Sequence, residues 1–183
     1  MATVTKTIGT SSRNYSTISA WEADLSDGSI YSNGDDAVGE MYADSTFTGA
    51  TTTINGGTDI GGSAGQDLNS VKLTVHSDSR HDGTAESGAL LKPTSGSGHN
   101  VGIIAVARDD FTIEWLDISM DSLDSTNTNR AIFLNSGVGN CTIRNMLIHD
   151  KGGNPGSSGP AAITSNQAAG TSDNWYFLNN IIY

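Results

Sequence analysis

One cysteine, three prolines and nine basic residues are spread over a chain of 183. A lone cysteine permits no internal disulfide, so the fold rests on packing and hydrogen bonds; Cys141, in the alternating run Cys141-Thr142-Ile143, reads as a small buried apolar side chain. Nine Lys and Arg face twenty Asp and Glu, a net charge of −11. Without a basic stripe there is nothing to neutralise phosphates, which excludes a nucleic-acid partner. Charged residues are only 16% of the chain, against about 25% in ordinary domains. Long apolar runs are missing too: Val101 to Ala107 and Ala131 to Leu134 fall far short of the roughly 20 residues of a bilayer-spanning helix, so no membrane association is expected. Met1-Ala2-Thr3-Val4-Thr5-Lys6-Thr7 has neither an apolar core nor a small-residue cleavage site, so no secretory signal is expected.

What is present is glycine, 22 residues of it, scattered between short apolar clusters within a 36% hydrophobic chain. That is the composition of many short strands joined by turns, in one domain. A single segment carries helical periodicity: in Tyr15 to Leu25, Ile18, Trp21 and Leu25 share one face. Ser16 and Ser19 offer hydroxyl N-caps, and Ser26-Asp27-Gly28 supplies a stop. Thr3 to Ile8, before it, has the alternation of a strand. Residues 1–30 are therefore read as a strand and a capping helix, and 31–183 as the strand-rich body.

Beyond residue 30 the apolar residues recur with period two: Ala37 to Ala43, Thr51 to Ile54, Val71 to Val75, Ile103 to Val106, Phe111 to Ile118, Ala131 to Leu134, Cys141 to Ile148, Ala161 to Ile163 and Trp175 to Ile182. Turn chemistry separates them, at Gly56-Gly57, Gly61-Gly62, Asp82-Gly83, Gly96 to Gly98, Gly152-Gly153 and Gly156 to Pro160. Three segments align without gaps: Asp110 to Ile118, Asn140 to Ile148 and Asn174 to Ile182. Each follows another apolar burst, so one repeat holds two or three strands. Within each repeat the parity switches. Phe111, Ile113 and Trp115 share one face of a strand while Leu116 and Ile118 share the other; Ile143 is followed in the same way by Met146 and Ile148. A straight strand cannot bury both sets, but a corner at Trp115, Asn145 and Asn179 turns both inward, and Asn tolerates the left-handed backbone such a corner needs. Trp21, Ile113, Ile143 and Phe177 are the expected core, and Trp115 and Trp175 are expected to point inward with them.

These repeats, with Thr142-Ile143-Arg144-Asn145-Met146-Leu147-Ile148 and Tyr176-Phe177-Leu178-Asn179-Asn180-Ile181-Ile182, resemble coils of the right-handed parallel β-helix of the pectin-lyase-like superfamily, whose corner asparagines stack into ladders. The opening, Thr5 to Gly9 and Asn14 to Ala23, resembles the strand and amphipathic cap that begin many phage and environmental β-helix proteins. The resemblance implies an all-β solenoid with a short N-terminal capping helix. Trp115 stands where the next two coils have Asn, which interrupts the ladder.

Enzymes of that fold act on polysaccharides with clustered carboxylates, paired across a sugar bond or holding Ca²⁺. Asp109, Asp110, Asp117, Asp121 and Asp124 surround the first aligned repeat, but Asp117 aligns with Leu147 and Ile181, so no acidic column forms and a solvated face is expected. No cofactor is expected, calcium being the one ion these acids weakly suggest. The densest titratable cluster is His76, Asp78, Arg80, His81 and Asp82, which lacks zinc-ligand spacing and ends in a turn; His81→Ala is expected to leave stability nearly unchanged. The segment from Asn180 to Tyr183 runs through an apolar burst, so the last coil is expected to need a covering partner or further chain. These features favour a non-enzymatic virion protein, a bacteriophage capsid decoration or a tail fibre or spike exposed on the particle surface, which associates with copies of itself or other virion proteins. A polysaccharide depolymerase and a glycan-binding adhesin module are the alternatives.

Overall fold

The computed structural model describes residues 1–49, 52–57, 67–93, 102–121, 129–150, 161–166 and 174–183. The turns at Gly61-Gly62, Gly96 to Gly98 and Gly152 to Pro160, together with Val101 and Asp124, lie outside the described residues.

Short β-branched and aromatic runs between turns form strands that pair with the next repeat rather than with their chain neighbours. After β1 (Thr3–Ile8) and the helix α1 (Ile18–Ala23), the chain runs through β2 (Asp36–Met41) and β3 (Thr52–Ile54), then β4 (Ser70–Val75), β5 (Leu90–Leu91) and β6 (Ile104–Val106). The next coil is β7 (Phe111–Glu114), β8 (Asp117–Ser119) and β9 (Arg130–Leu134), followed by β10 (Cys141–Arg144), β11 (Leu147–His149) and β12 (Ala161–Ser165), and then β13 (Trp175–Leu178) and β14 (Ile181–Ile182). The pairs between these strands are parallel. They form three sheets, ordered β1-β2-β4-β7-β10-β13, β5-β8-β11-β14 and β3-β6-β9-β12. The result is a parallel β-solenoid of about four turns with one short helix.

The corners follow from backbone sterics. Trp115, Asn145 and Asn179 adopt φ of 67°, 52° and 52°, the left-handed region. Each turns the strand of the first sheet into that of the second, so Ile113 and Ile143 before the corner and Leu116, Met146, Ile118 and Ile148 after it face one interior. The register stacks like on like: Ile113 pairs with Ile143 and Ile143 with Phe177, while Ile118 pairs with Ile148 and Ile148 with Ile182. A second set of left-handed residues, Asp110 (51°) and Asn140 (53°), opens β7 and β10, and here an asparagine pair forms, with Asn174 Nδ2 donating to Asn140 Oδ1 at 3.4 Å.

The N-terminal segment is part of the same body, since β1 pairs with β2 along its length. Thr17, rather than Ser16 or Ser19, caps α1: its Oγ1 accepts from the Ala20 amide at 3.1 Å, because Thr17 is the residue with extended backbone just before the first turn. Ser19 instead hydrogen-bonds Thr52 at 2.8 Å. Helix and following turn bury Ile18, Trp21 and Leu25. Trp21 lies on β2 at Gly39, where a Cβ would come within 2.8 Å of the indole, and its Nε1 donates to the Tyr31 hydroxyl at 3.1 Å. Gly39→Val is therefore expected to lose about 1–3 kcal/mol by displacing the indole, measurable by chemical denaturation as a lower midpoint; an unchanged midpoint contradicts the close approach.

Candidate functional site

The loop from His76 to Ala89 joins β4 to β5 where the later coils turn through a single corner. It separates the sequence-predicted cluster. His76 stacks on Tyr42 at 4.6 Å between ring centres, with the Arg13 guanidinium 3.5 Å over the other partner of that stack, Tyr42. Asp78 donates its backbone N–H to His76 Nδ1 at 3.4 Å, and its carboxylate is exposed. Arg80 donates from Nε to the Val75 carbonyl and lies 4.7 Å over the Trp115 ring. Asp82 closes the loop by accepting from the Thr84 amide and the Ser87 hydroxyl, bonds that hold its carboxyl below the usual range.

His81 turns the other way, into the body. It is buried, and its Nε2 must carry hydrogen because it faces the Asn145 carbonyl, an acceptor only, at 2.8 Å; Nδ1 is buried without a partner among the described residues. The expectation that His81 is dispensable therefore changes: His81→Ala removes an inter-coil hydrogen bond and a ring packed 5.8 Å from Trp115. A loss of about 1–2 kcal/mol is expected by denaturation.

Trp115 is half-buried at the corner between Arg80 and His81, whereas Trp21 is fully buried and Trp175 is half-buried with its Nε1 donating to the Val138 carbonyl at 2.8 Å. Phe177 keeps the inward register but is 49% exposed on the last strand of the first sheet. Asn179 leaves inter-coil stapling to Asn180, which accepts from the Met146 amide and donates to the Ile143 carbonyl, both at 3.0 Å.

Two polar clusters escaped the sequence reading. On the outer face of the first sheet, Glu114 is buried between coils: its carboxylate accepts from Arg144 Nε at 2.6 Å and Thr74 Oγ1 at 2.9 Å, with Lys72 Nζ at 3.8 Å. Burial alone raises its pKa, but the hydrogen bonds from Arg144 and Thr74 and the two cations outweigh it and hold the carboxyl below its ordinary value. A lowered folded pKa stabilises above the unfolded carboxylate range, and that contribution is lost as pH falls through the lowered value. Glu114→Gln is accordingly expected to cost about 1–3 kcal/mol at neutral pH and to flatten the acid limb of the stability profile; equal acid sensitivity in the variant contradicts the assignment.

On the outer face of the second sheet, Asp117 and His149 are fully buried, so the solvated face expected for Asp117 is incorrect. The register is as aligned, Asp117 beside Leu147 and Leu147 beside Ile181, but the partner of Asp117 lies two residues along β11. His149 Nε2 meets Asp117 Oδ1 at 2.8 Å and Nδ1 meets Asp150 Oδ2 at 2.7 Å, while Ser119 donates to the same Asp150 oxygen at 3.1 Å. Burial raises the Asp117 pKa against the pull of His149. The remaining acids serve locally: Asp109 accepts from the Gly139 amide at 2.7 Å, and Asp121 pairs with Lys92 at 3.4 Å.

Among the described residues no group of three or more His, Cys, Asp or Glu side chains is arranged to hold a metal ion, and no helix is long and apolar enough to cross a membrane. Comparison with family models, curated proteins and solved structures finds no match to this chain.

Proposed function

We propose that the chain is a non-enzymatic structural protein of a virion surface, a bacteriophage capsid-decoration, tail-fibre or spike β-helix. In this reading the coils wind right-handed, the Trp21 helix closes one end, and a partner subunit, a copy of this chain or another virion protein, stacks on β12, β13 and β14. The observation that carries it is the exposed face there: Phe177 and Ile182 hold the inward register yet are 49% and 46% exposed, beside a row of strand edges that pair with no further described strand and can template another parallel one. Stacked parallel coils give a stiff, mutually hydrogen-bonded rod, and a net charge of −11 limits nonspecific adhesion. The acids of the first aligned repeat support the same reading, because Glu114 and Asp109 are spent on bonds within the fold.

One observation favours a depolymerase instead. Glu114, Arg144 and Lys72 bring an acid and two cations together on the outer face of the longest sheet. Incubation with acidic and neutral polysaccharides separates the readings. The structural role predicts no new reducing ends and no unsaturated products; cleavage that disappears in Glu114→Gln overturns it.

A further inference from the structure

At the corner between the first and second sheets, the loop after β4 leaves an open cleft of about 340 Å³ whose walls include His81, Asp82, Trp115, Asn145, Asn179 and Ile181. Its aromatic wall is fixed before anything binds. The Trp115 ring is held by the Arg80 guanidinium at 4.7 Å and the His81 ring at 5.8 Å, and His81 is itself tied to the Asn145 carbonyl. The backbone makes this tryptophan costly: φ of 67° suits Asn, which the next two coils use at the same corner, and a bulky residue there is strained. The fold needs no tryptophan at this position, since Asn145 and Asn179 turn the same corner without one.

The polar lining is unspent. The side-chain amides of Asn145 and Asn179, one coil apart, make no hydrogen bond to a described residue, and each offers both donors and an acceptor. Asp82 commits one carboxylate oxygen to Thr84 and Ser87, and its residue is exposed at the cleft mouth. A flat ring with C–H faces and hydroxyls that both donate and accept fits this combination: the face packs on indole and Ile181, and the hydroxyls meet the amides and the carboxylate. A uronate chain would instead set its carboxylates against Asp82.

From this geometry we propose that the Trp115 cleft is a binding subsite for a neutral saccharide, a role separate from the coil stacking proposed above. The test is two-dimensional NMR on the whole chain, following the Asn145 and Asn179 side-chain amides and the Trp115 indole N–H. The probes are neutral hexasaccharides of glucose, galactose, mannose and N-acetylglucosamine at millimolar concentration. At least one probe is expected to shift the three signals together. Trp115→Asn, which suits the left-handed corner, is expected to keep the melting temperature and weaken that binding at least about tenfold. Asn179→Gly, which removes the exposed amide and keeps the left-handed corner backbone, is expected to weaken it as well, and decides the matter should Trp115→Asn not fold. The proposal is overturned if no neutral probe moves these signals, if Asn179→Gly and a folded Trp115→Asn bind as well as the parent chain, or if polygalacturonate binds the cleft more tightly than every neutral probe.

Discussion

Ile143→Asp is expected to abolish folding. Ile143 is 1% exposed, lies between Ile113 and Phe177 in the first sheet and belongs to the continuous core that runs through every coil. A carboxylate there loses its hydration and meets no donor, at a cost of several kcal/mol added to the lost packing, against a total stability of about 5–15 kcal/mol for a typical domain. The neighbouring residue supplies the control. Thr142 points outward between Thr112 and Tyr176, so Thr142→Asp is expected to stay within about 0.5 kcal/mol of the parent chain. Circular dichroism and thermal melting read both variants, and a melting temperature unaffected by Ile143→Asp refutes the inward assignment of this strand.

The second large effect is expected at His149. Its two short hydrogen bonds join Asp117 of one coil to Asp150 of the next, inside a region where Asp117 and His149 are sealed from solvent. His149→Ala strands Asp117, whose second oxygen already lacks a partner among the described residues, and opens a cavity; a loss of about 3–5 kcal/mol is expected in chemical denaturation. The pH dependence of the cluster runs opposite to that of Glu114. A raised folded pKa at Asp117 means that protonation favours the fold, so its contribution is complete below the unfolded carboxylate range and is lost as pH rises through the raised value. Replacing Asp117 and His149 together by leucine is expected to recover part of the loss, since a buried polar pair is often replaceable by apolar side chains of similar volume. A His149→Ala variant within about 1 kcal/mol of the parent contradicts the buried-clamp account.

The coil architecture was legible because side-chain alternation carries it. A change of parity inside Phe111 to Ile118, repeated in Cys141 to Ile148, has one economical explanation, a corner, and the left-handed backbone at Trp115, Asn145 and Asn179 is that corner. Earlier coils were harder to read because their turns are long: the path from β4 to β5 runs through fourteen residues, 76–89, where the later coils use only two. The polar clusters were illegible for a different reason. Asp117 was aligned correctly with Leu147, yet its partner His149 is displaced along the next strand, and Glu114 meets Thr74 and Arg144 from coils on either side. Diagonal and inter-coil partnerships leave no periodic trace in a single sequence. Arg108 is a third case: almost fully buried, it donates to the carbonyls of Gly56, Gly57 and Leu68, backbone acceptors that any sequence provides. The loop of His76 to Asp82 was conspicuous by composition, but only the structure shows that its histidines face opposite ways and that Trp115 joins it.

Sedimentation velocity tests the central claim most directly, on the parent chain and on Phe177→Lys, at several concentrations, with and without calcium. Phe177 is already half exposed, so the lysine is expected to leave the monomer folded while placing a charge on the face where a partner is proposed to stack. The structural account predicts association of the parent chain that grows with concentration, is indifferent to calcium and is lost in Phe177→Lys. A parent chain that stays monomeric throughout, or that associates only with calcium, contradicts it.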